Sequence, residues 1–250
     1  MNPETEQVPS FDGEKLAVHR LGEGRPVLLL HGLFSNARTN WIKFGHAQRL
    51  ADAGFEAIMP DLRAHGESAA PHDPAAYPPG VLVRDVQALV EALGLSDFDL
   101  AGFSLGARTA AAAVAAGLRP RRLVLAGMGL EGLAGWDRRA AFFIDAIDRC
   151  EEVRQGDPAF VAVSFMKTMK IDRIAARLLL QAVTDIDTSD LARIDMPAGV
   201  ICGDQDADNG SAQALADALP HARYIAVPGT HMSSVTLPDL GEAIVQFIST

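Results

Sequence analysis

The sequence predicts an α/β fold: a mostly parallel central sheet with helices on both faces. Three observations lead there. Short runs rich in Val, Leu and Ile recur between longer segments of helical periodicity. Strand-like and helix-like segments alternate for most of the length. The 250 residues are 48% hydrophobic and 22% charged, enough to bury a substantial core.

The elements follow in order. Strand-like runs Leu16–Arg20 and Pro26–Leu30 are joined by Gly22-Glu23-Gly24, a connection short enough for an antiparallel hairpin. A helix around Trp41–Ala53, a strand Glu56–Met59, a helix Val81–Leu93 and a strand Phe98–Ala101 come next, then a helix Leu105–Ala116 and a strand Arg122–Ala126. From Gly127 to about Arg193 the alternation stops, and helical patterns succeed one another: Trp136–Cys150, Pro158–Lys170 and Arg173–Val183. It resumes with strand Gly199–Cys202, helix Ser211–Leu219, strand Ala222–Val227 and a last helix from Leu237 to Ile248. The middle reads as an insertion, dividing the chain into a core of residues 1–129 and 194–250 and a helical segment of 130–193. No repeat, low-complexity tract or Pro/Ser-rich linker argues for two separately folded halves.

Charge and cysteine content exclude several classes. Lys and Arg number 22 against 32 Asp and Glu, a net charge of −10, and the cations are scattered, so no nucleic-acid footprint is present. Cys150 and Cys202 are too few and too far apart for a disulfide framework or a CxxC pair and read as free thiols in a reducing compartment. The first ten residues lack the basic-then-apolar order of a signal peptide. The Ala-rich run from Thr109 to Leu118 is too short to span a bilayer. A cytoplasmic protein without membrane or nucleic-acid partners is expected. No residue pattern specifies an oligomeric state.

Gly102-Phe103-Ser104-Leu105-Gly106 matches GxSxG between a predicted strand and a predicted helix, where that motif places a serine nucleophile. The turn is tight enough that side chains at Gly102 and Gly106 would collide with backbone, while Ser104 is held in a strained conformation. A serine hydroxyl needs a base, and the base an orienting acid. Both are expected later, in the order acid, then histidine, each after a strand. His231 follows strand Ala222–Val227 and precedes the last helix; His19, His46, His72 and His221 lack that placement. For the acid, Asp204, Asp206 and Asp208 compete after strand Gly199–Cys202.

With these residues in place, the chain resembles the α/β-hydrolase superfamily, in its serine-nucleophile, esterase-like branch, from about Leu16 to the C-terminus apart from the helical insertion. The resemblance implies an α/β-hydrolase fold with a helical lid inserted after the sixth strand. It implies Asp206 as the acid, from the last position of a G-x-x-D stretch, leaving Asp204 and Asp208 to turns and caps. Glu131 is a further alternative. Leu30-His31-Gly32-Leu33-Phe34 resembles the oxyanion loop, so Leu33 and Leu105 would donate backbone N–H groups to an oxyanion; losing one such donor costs about 3 kcal/mol. Pro60-Asp61-Leu62-Arg63-Ala64-His65-Gly66-Glu67-Ser68 resembles the family's D-x-R-G-H-G-x-S loop, with Ala64 where a glycine is usual. His31, His65 and Asp61 are expected to be structural.

Gly127-Met128-Gly129-Leu130-Glu131-Gly132 is a formal GxGxxG, with Asp148 at the spacing of a ribose contact. A dinucleotide fold needs that turn to open a helix returning to an adjacent parallel strand. A long helical segment follows instead, so the stretch is read as a flexible exit into the insertion. Within the insertion, Trp136, Phe142, Phe143, Phe160, Phe165, Met166 and Met169 could face a site alongside Phe34, Phe103 and Met232. At helical spacing, packing of helices onto the sheet accounts for at least half of them.

Ser104, Asp206 and His231 with the N–H groups of Leu33 and Leu105 suit a carboxylic-ester hydrolase that forms an acyl-enzyme, with no metal or organic cofactor required. Its partner would be a small-molecule ester with a small or medium apolar group. The same residues would serve a carbon–carbon bond hydrolase, a lactonase or amidase, a perhydrolase or a cofactor-free dioxygenase. Outside enzymes, the alternatives are a ligand-binding protein with vestigial catalysis and an accessory subunit contacted through the insertion. An Asp nucleophile would have indicated a dehalogenase or an epoxide hydrolase.

Overall fold

The computed structural model describes residues 3–250. Among the described residues eight strands form one sheet in the order β1-β2-β4-β3-β5-β6-β7-β8. In chain order they are β1 (Glu4–Pro9), β2 (Lys15–Leu21), β3 (Arg25–Leu30), β4 (Phe55–Pro60), β5 (Asp99–Phe103), β6 (Leu123–Ala126), β7 (Ala198–Gly203) and β8 (Ala222–Val227). Pairing is parallel from β4 through β8 and antiparallel at β1–β2 and β2–β4. Along β3 the apolar run is continuous because both faces are covered: Leu28 and Leu30 join one buried cluster, Val27 and Leu29 the other.

Helices α1 (His46–Asp52) and α10 (Pro238–Ile248) cover the Val27/Leu29 face. On the opposite face lie α2 (Val81–Ala92), α3 (Leu105–Ala115) and α8 (Ala212–Ala218). α3 buries Ala107, Ala110, Ala111, Ala113 and Val114, and such small side chains allow close approach to the sheet. Between β6 and β7 stand α4 (Leu130–Leu133), α5 (Trp136–Asp148), α6 (Phe160–Thr168) and α7 (Arg173–Ala182), and α9 (His231–Ser234) is a single turn after β8. Leu133, Trp136, Ile147, Met166 and Leu179 are buried in the same cluster as the α3 face of the sheet. Among the described residues no helix is long and apolar enough to cross a membrane.

The structure corrects three expectations. β2 and β3 are not a hairpin: β4 lies between them, with Ala57 opposite Leu21 on one side and Val27 on the other. Two strand spacings amount to about 10 Å, which a three-residue connection can cross. Gly22 and Gly24, at φ +85° and +118°, make that crossing against the entry to β4; a Cβ on Gly24 would lie 2.2 Å from the Gly54 carbonyl oxygen. The expected helix Trp41–Ala53 is broken at Gly45, φ +79°, into a π-helical turn over Arg38–Ile42 and α1. β1 was not expected because it is an edge strand, mostly exposed and without an apolar repeat.

Candidate active site

The β5–α3 turn accounts for the glycines around Ser104. A Cβ on Gly102 would lie 2.3 Å from the Gly106 backbone, and one on Gly106 would lie 2.1 Å from the Leu30 carbonyl oxygen. Ser104 sits between them at φ 54°, ψ −114°, with its N–H bonded to the Ala126 carbonyl at 2.9 Å. Leu105 is the first residue of α3, and no carbonyl of the helix can accept its N–H.

His231 opens α9, whose N-terminus is closed by a capping box between Thr230 and Ser233. Its Nε2 is 3.1 Å from Ser104 Oγ, and its Nδ1 is 2.9 Å from Asp206 Oδ2. With Asp206 ionised, Nδ1 carries the proton it donates and Nε2 is free to accept from the serine hydroxyl. Asp206 Oδ1 takes the Asp208 N–H at 3.1 Å. Asp204 instead accepts the Gly229 N–H at 2.9 Å and shapes the loop ahead of His231. Asp208 is exposed, and Glu131 accepts the Ser211 N–H at the start of α8. Among the four carboxylates considered, Asp206 alone is hydrogen-bonded to His231. Asp206, Asp208 and His231 could offer one metal-ligand atom each within 4.8 Å of one another, but a metal would have to replace the His231–Asp206 hydrogen bond.

Two buried histidines lock the loop that carries Leu33. His65 Nε2 accepts the Phe34 N–H at 3.0 Å, while its Nδ1 donates to the Arg63 carbonyl. Reciprocally, His31 Nε2 accepts the Leu62 N–H at 2.9 Å and its Nδ1 donates to the Gly32 carbonyl. Burial pushes His31 down and His65 to about 3, so both are neutral acceptors rather than bases at neutral pH. Asn40 Oδ1 takes the Gly32 N–H at 3.0 Å. Phe34 is held at φ 58°, and the Leu33 N–H has no hydrogen bond among the described residues. Asp61 accepts the N–H groups of Ala37 and Glu67. Burial would raise its carboxyl, but His19 and those N–H donors hold it below the usual carboxylate range. Ala64 adopts φ 66°, which explains why a glycine is usual there.

Above Ser104 lies a cavity of about 660 Å³. Phe34, Phe103, Trp136, Phe142, Phe143, Phe165 and Met232 all line it, together with Leu33, Leu105 and His231. Met166 is buried in the core and Met169 lies against Thr39, so neither opens onto the cavity as the sequence allowed. Thr39, Asn40, Lys43, Arg108, Arg138 and Arg139 also line it and were not anticipated, because no motif or periodicity marks them.

The glycine-rich stretch after β6 is not the flexible exit expected. A Cβ on Gly129 would lie 2.4 Å from the Gly210 backbone, and the Gly132 N–H bonds the Asn209 carbonyl at 2.9 Å. Close packing on the β7–α8 loop is what excludes side chains here.

A model of the alpha/beta hydrolase fold family matches residues 25–132. Among curated proteins, an epoxide hydrolase of Caballeronia sordidicola is 38% identical over 96 residues, 38% of this chain and 28% of that protein. The match thus spans less than a third of that relative's length. Among solved structures, an esterase from Exiguobacterium antarcticum superposes with a TM-score of 0.81 at 19% identity, over 99% of this chain and 100% of that one. A bromoperoxidase from Bacillus anthracis gives 0.76 at 21%, with the same coverage. At such identities the fold is what these structures share. The sheet order, the turn at Ser104 and these matches agree: the chain has the alpha/beta hydrolase fold, and residues 25–132 match the model of that family.

Proposed function

We propose that the chain is a serine hydrolase that cleaves carboxylic esters through a covalent acyl-enzyme. The observation that supports this best is the hydrogen-bonded series from Ser104 through His231 to Asp206 beneath the cavity. In this reading His231 Nε2 removes the hydroxyl proton as Ser104 Oγ attacks the ester carbonyl. The resulting oxyanion receives the N–H groups of Leu33 and Leu105. His231 then returns the proton to the leaving alkoxide, and a water activated by the same nitrogen releases the acid. Asp206 keeps His231 in the required tautomer. Residues 130–193 act as a lid on a core of residues 1–129 and 194–250; Trp136, Phe142, Phe143 and Phe165 from that segment support this by lining the cavity. They favour a small or medium apolar group. Cys150 and Cys202, both buried free thiols, suit a cytoplasmic setting.

The name of the curated relative suggests epoxide opening as a second reading. A carboxylate nucleophile suits that chemistry, and position 104 is serine. The test is direct. A fluorophosphonate should label Ser104, and 4-nitrophenyl butyrate should turn over in the native protein and not in Ser104→Ala of unchanged circular dichroism. Unchanged turnover in Ser104→Ala, or opening of styrene oxide without ester cleavage, would overturn the proposal.

A further inference from the structure

The charges around the cavity run against those of the molecule. Over the whole chain acids outnumber cations, 32 to 22. Yet the charged side chains lining the cavity are Lys43, Arg108, Arg138 and Arg139 against a single carboxylate, Asp208. Arg108 is committed to the fold through backbone carbonyls and Asp185. The other three have no ion pair among the described residues. Lys43 and Arg138 are exposed, while Arg139 is half-buried, bonded to the Asp208 backbone carbonyl at 2.6 Å, with its guanidinium 5.9 Å from the Phe143 ring centre.

Helix stability does not account for this arrangement. Arg138 and Arg139 sit in the first turn of α5, the end at which a helix disfavours cations. Burial lowers the Arg139 pKa; Asp208 and Asp206 oppose that shift and the neighbouring Arg138 adds to it. Cations without an ion pair beside a cavity are unfavourable until an anion arrives, and a low-dielectric cleft in which one sign predominates concentrates such an anion.

We propose that the cavity selects esters bearing a carboxylate remote from the scissile bond, with the apolar part of the substrate against the aromatic lining and the carboxylate among Lys43, Arg138 and Arg139. This deepens the serine-hydrolase reading and rests on it for the reaction, though not for the binding.

Two pairs of esters differing in one charge test it: 4-nitrophenyl hexanoate against the 4-nitrophenyl monoester of adipic acid, and methyl 4-acetoxybenzoate against 4-acetoxybenzoate. In at least one pair the anionic member should have a kcat/KM about tenfold higher, carried mainly by KM. The preference should vanish in about 1 M sodium chloride, where the Debye length is about 3 Å. Lys43→Glu combined with Arg138→Glu should bring the anionic-to-neutral ratio below one. A ratio at or below one in both pairs for the native protein overturns the proposal, while continued labelling of Ser104 and cleavage of the neutral esters would leave the serine-hydrolase reading standing. If no ester is cleaved, calorimetric binding of adipate to Ser104→Ala decides: binding lost in the charge-reversed protein supports the anion site, and absence of binding overturns it.

Discussion

Both oxygens of the Asp206 carboxylate are occupied, Oδ2 by His231 and Oδ1 by the Asp208 N–H. A neutral amide in its place can keep the shape of the turn while no longer enforcing the tautomer in which His231 accepts from Ser104. Asp206→Asn is therefore expected to lower kcat about 10⁴-fold at unchanged thermal midpoint. Asp204→Asn, which retains an acceptor for Gly229, and Asp208→Asn should each stay within about tenfold on the Brønsted-type argument that neither exchanges a proton with the reacting centre. Equal losses at 204 and 206 would show that the loop rather than the acid is being measured. Residue types alone left these three aspartates equivalent, since each is a short carboxylate in one turn; the family pattern favoured Asp206. Ser104 and His231 were readable because each stands at a strand end. The roles of His65 and Asn40 were not, because they depend on contacts between separate loops.

At the scale of elements, α3 carries more than Ser104. One turn further along, Arg108 reaches the carbonyls of Gly132, Leu133 and Thr184 and the carboxylate of Asp185, which also takes the Trp136 N–H. Both ends of the segment between β6 and β7 are thereby tied to the helix that follows Ser104. Arg108→Leu strands buried carbonyls, each worth about 1–3 kcal/mol and not additive, so a loss of about 3 kcal/mol is expected in urea unfolding. Arg108→Lys should recover only part, because an ammonium lacks the planar fork. A loss below about 1 kcal/mol in Arg108→Leu, the range of an ordinary surface change, would contradict the tether. The helices of this segment were visible as periodicity in the sequence. The place of β4 between β2 and β3 was not, because an apolar strand reads the same whichever neighbours it has.

Three neutral, buried histidines shape the acid response of the whole molecule. Burial lowers His65 to about 3 and pushes His31 and His46 below their ordinary 6.5. Between those values the unfolded chain binds protons that the folded protein refuses, so stability rises with pH through this window and is lost as pH falls below about 6.5. Asp61, held low, acts in the same sense near and below 3.8; Asp99, raised by burial, acts in the opposite sense just above 3.8. Each such histidine contributes a slope of about 1.4 kcal/mol per pH unit at most. Urea unfolding should therefore lose at least about 1 kcal/mol between pH 6 and pH 5, the share of His65 alone, with His31 and His46 acting in the same direction. A flat profile over that unit would mean these rings are protonated in place.

Global stability also meets the strained turn at Ser104, whose φ of 54° and ψ of −114° suit glycine and no other residue. Such a backbone costs about 1–3 kcal/mol, and glycine would relieve it at about 0.5–1 kcal/mol of extra unfolded-chain entropy. Ser104→Gly should accordingly melt above Ser104→Ala, both being inactive, and a lower midpoint for the glycine variant would contradict the strain. On the proposed reading, function and thermostability pull in opposite directions at this one position: the fold would be sturdier without the hydroxyl that the turn presents.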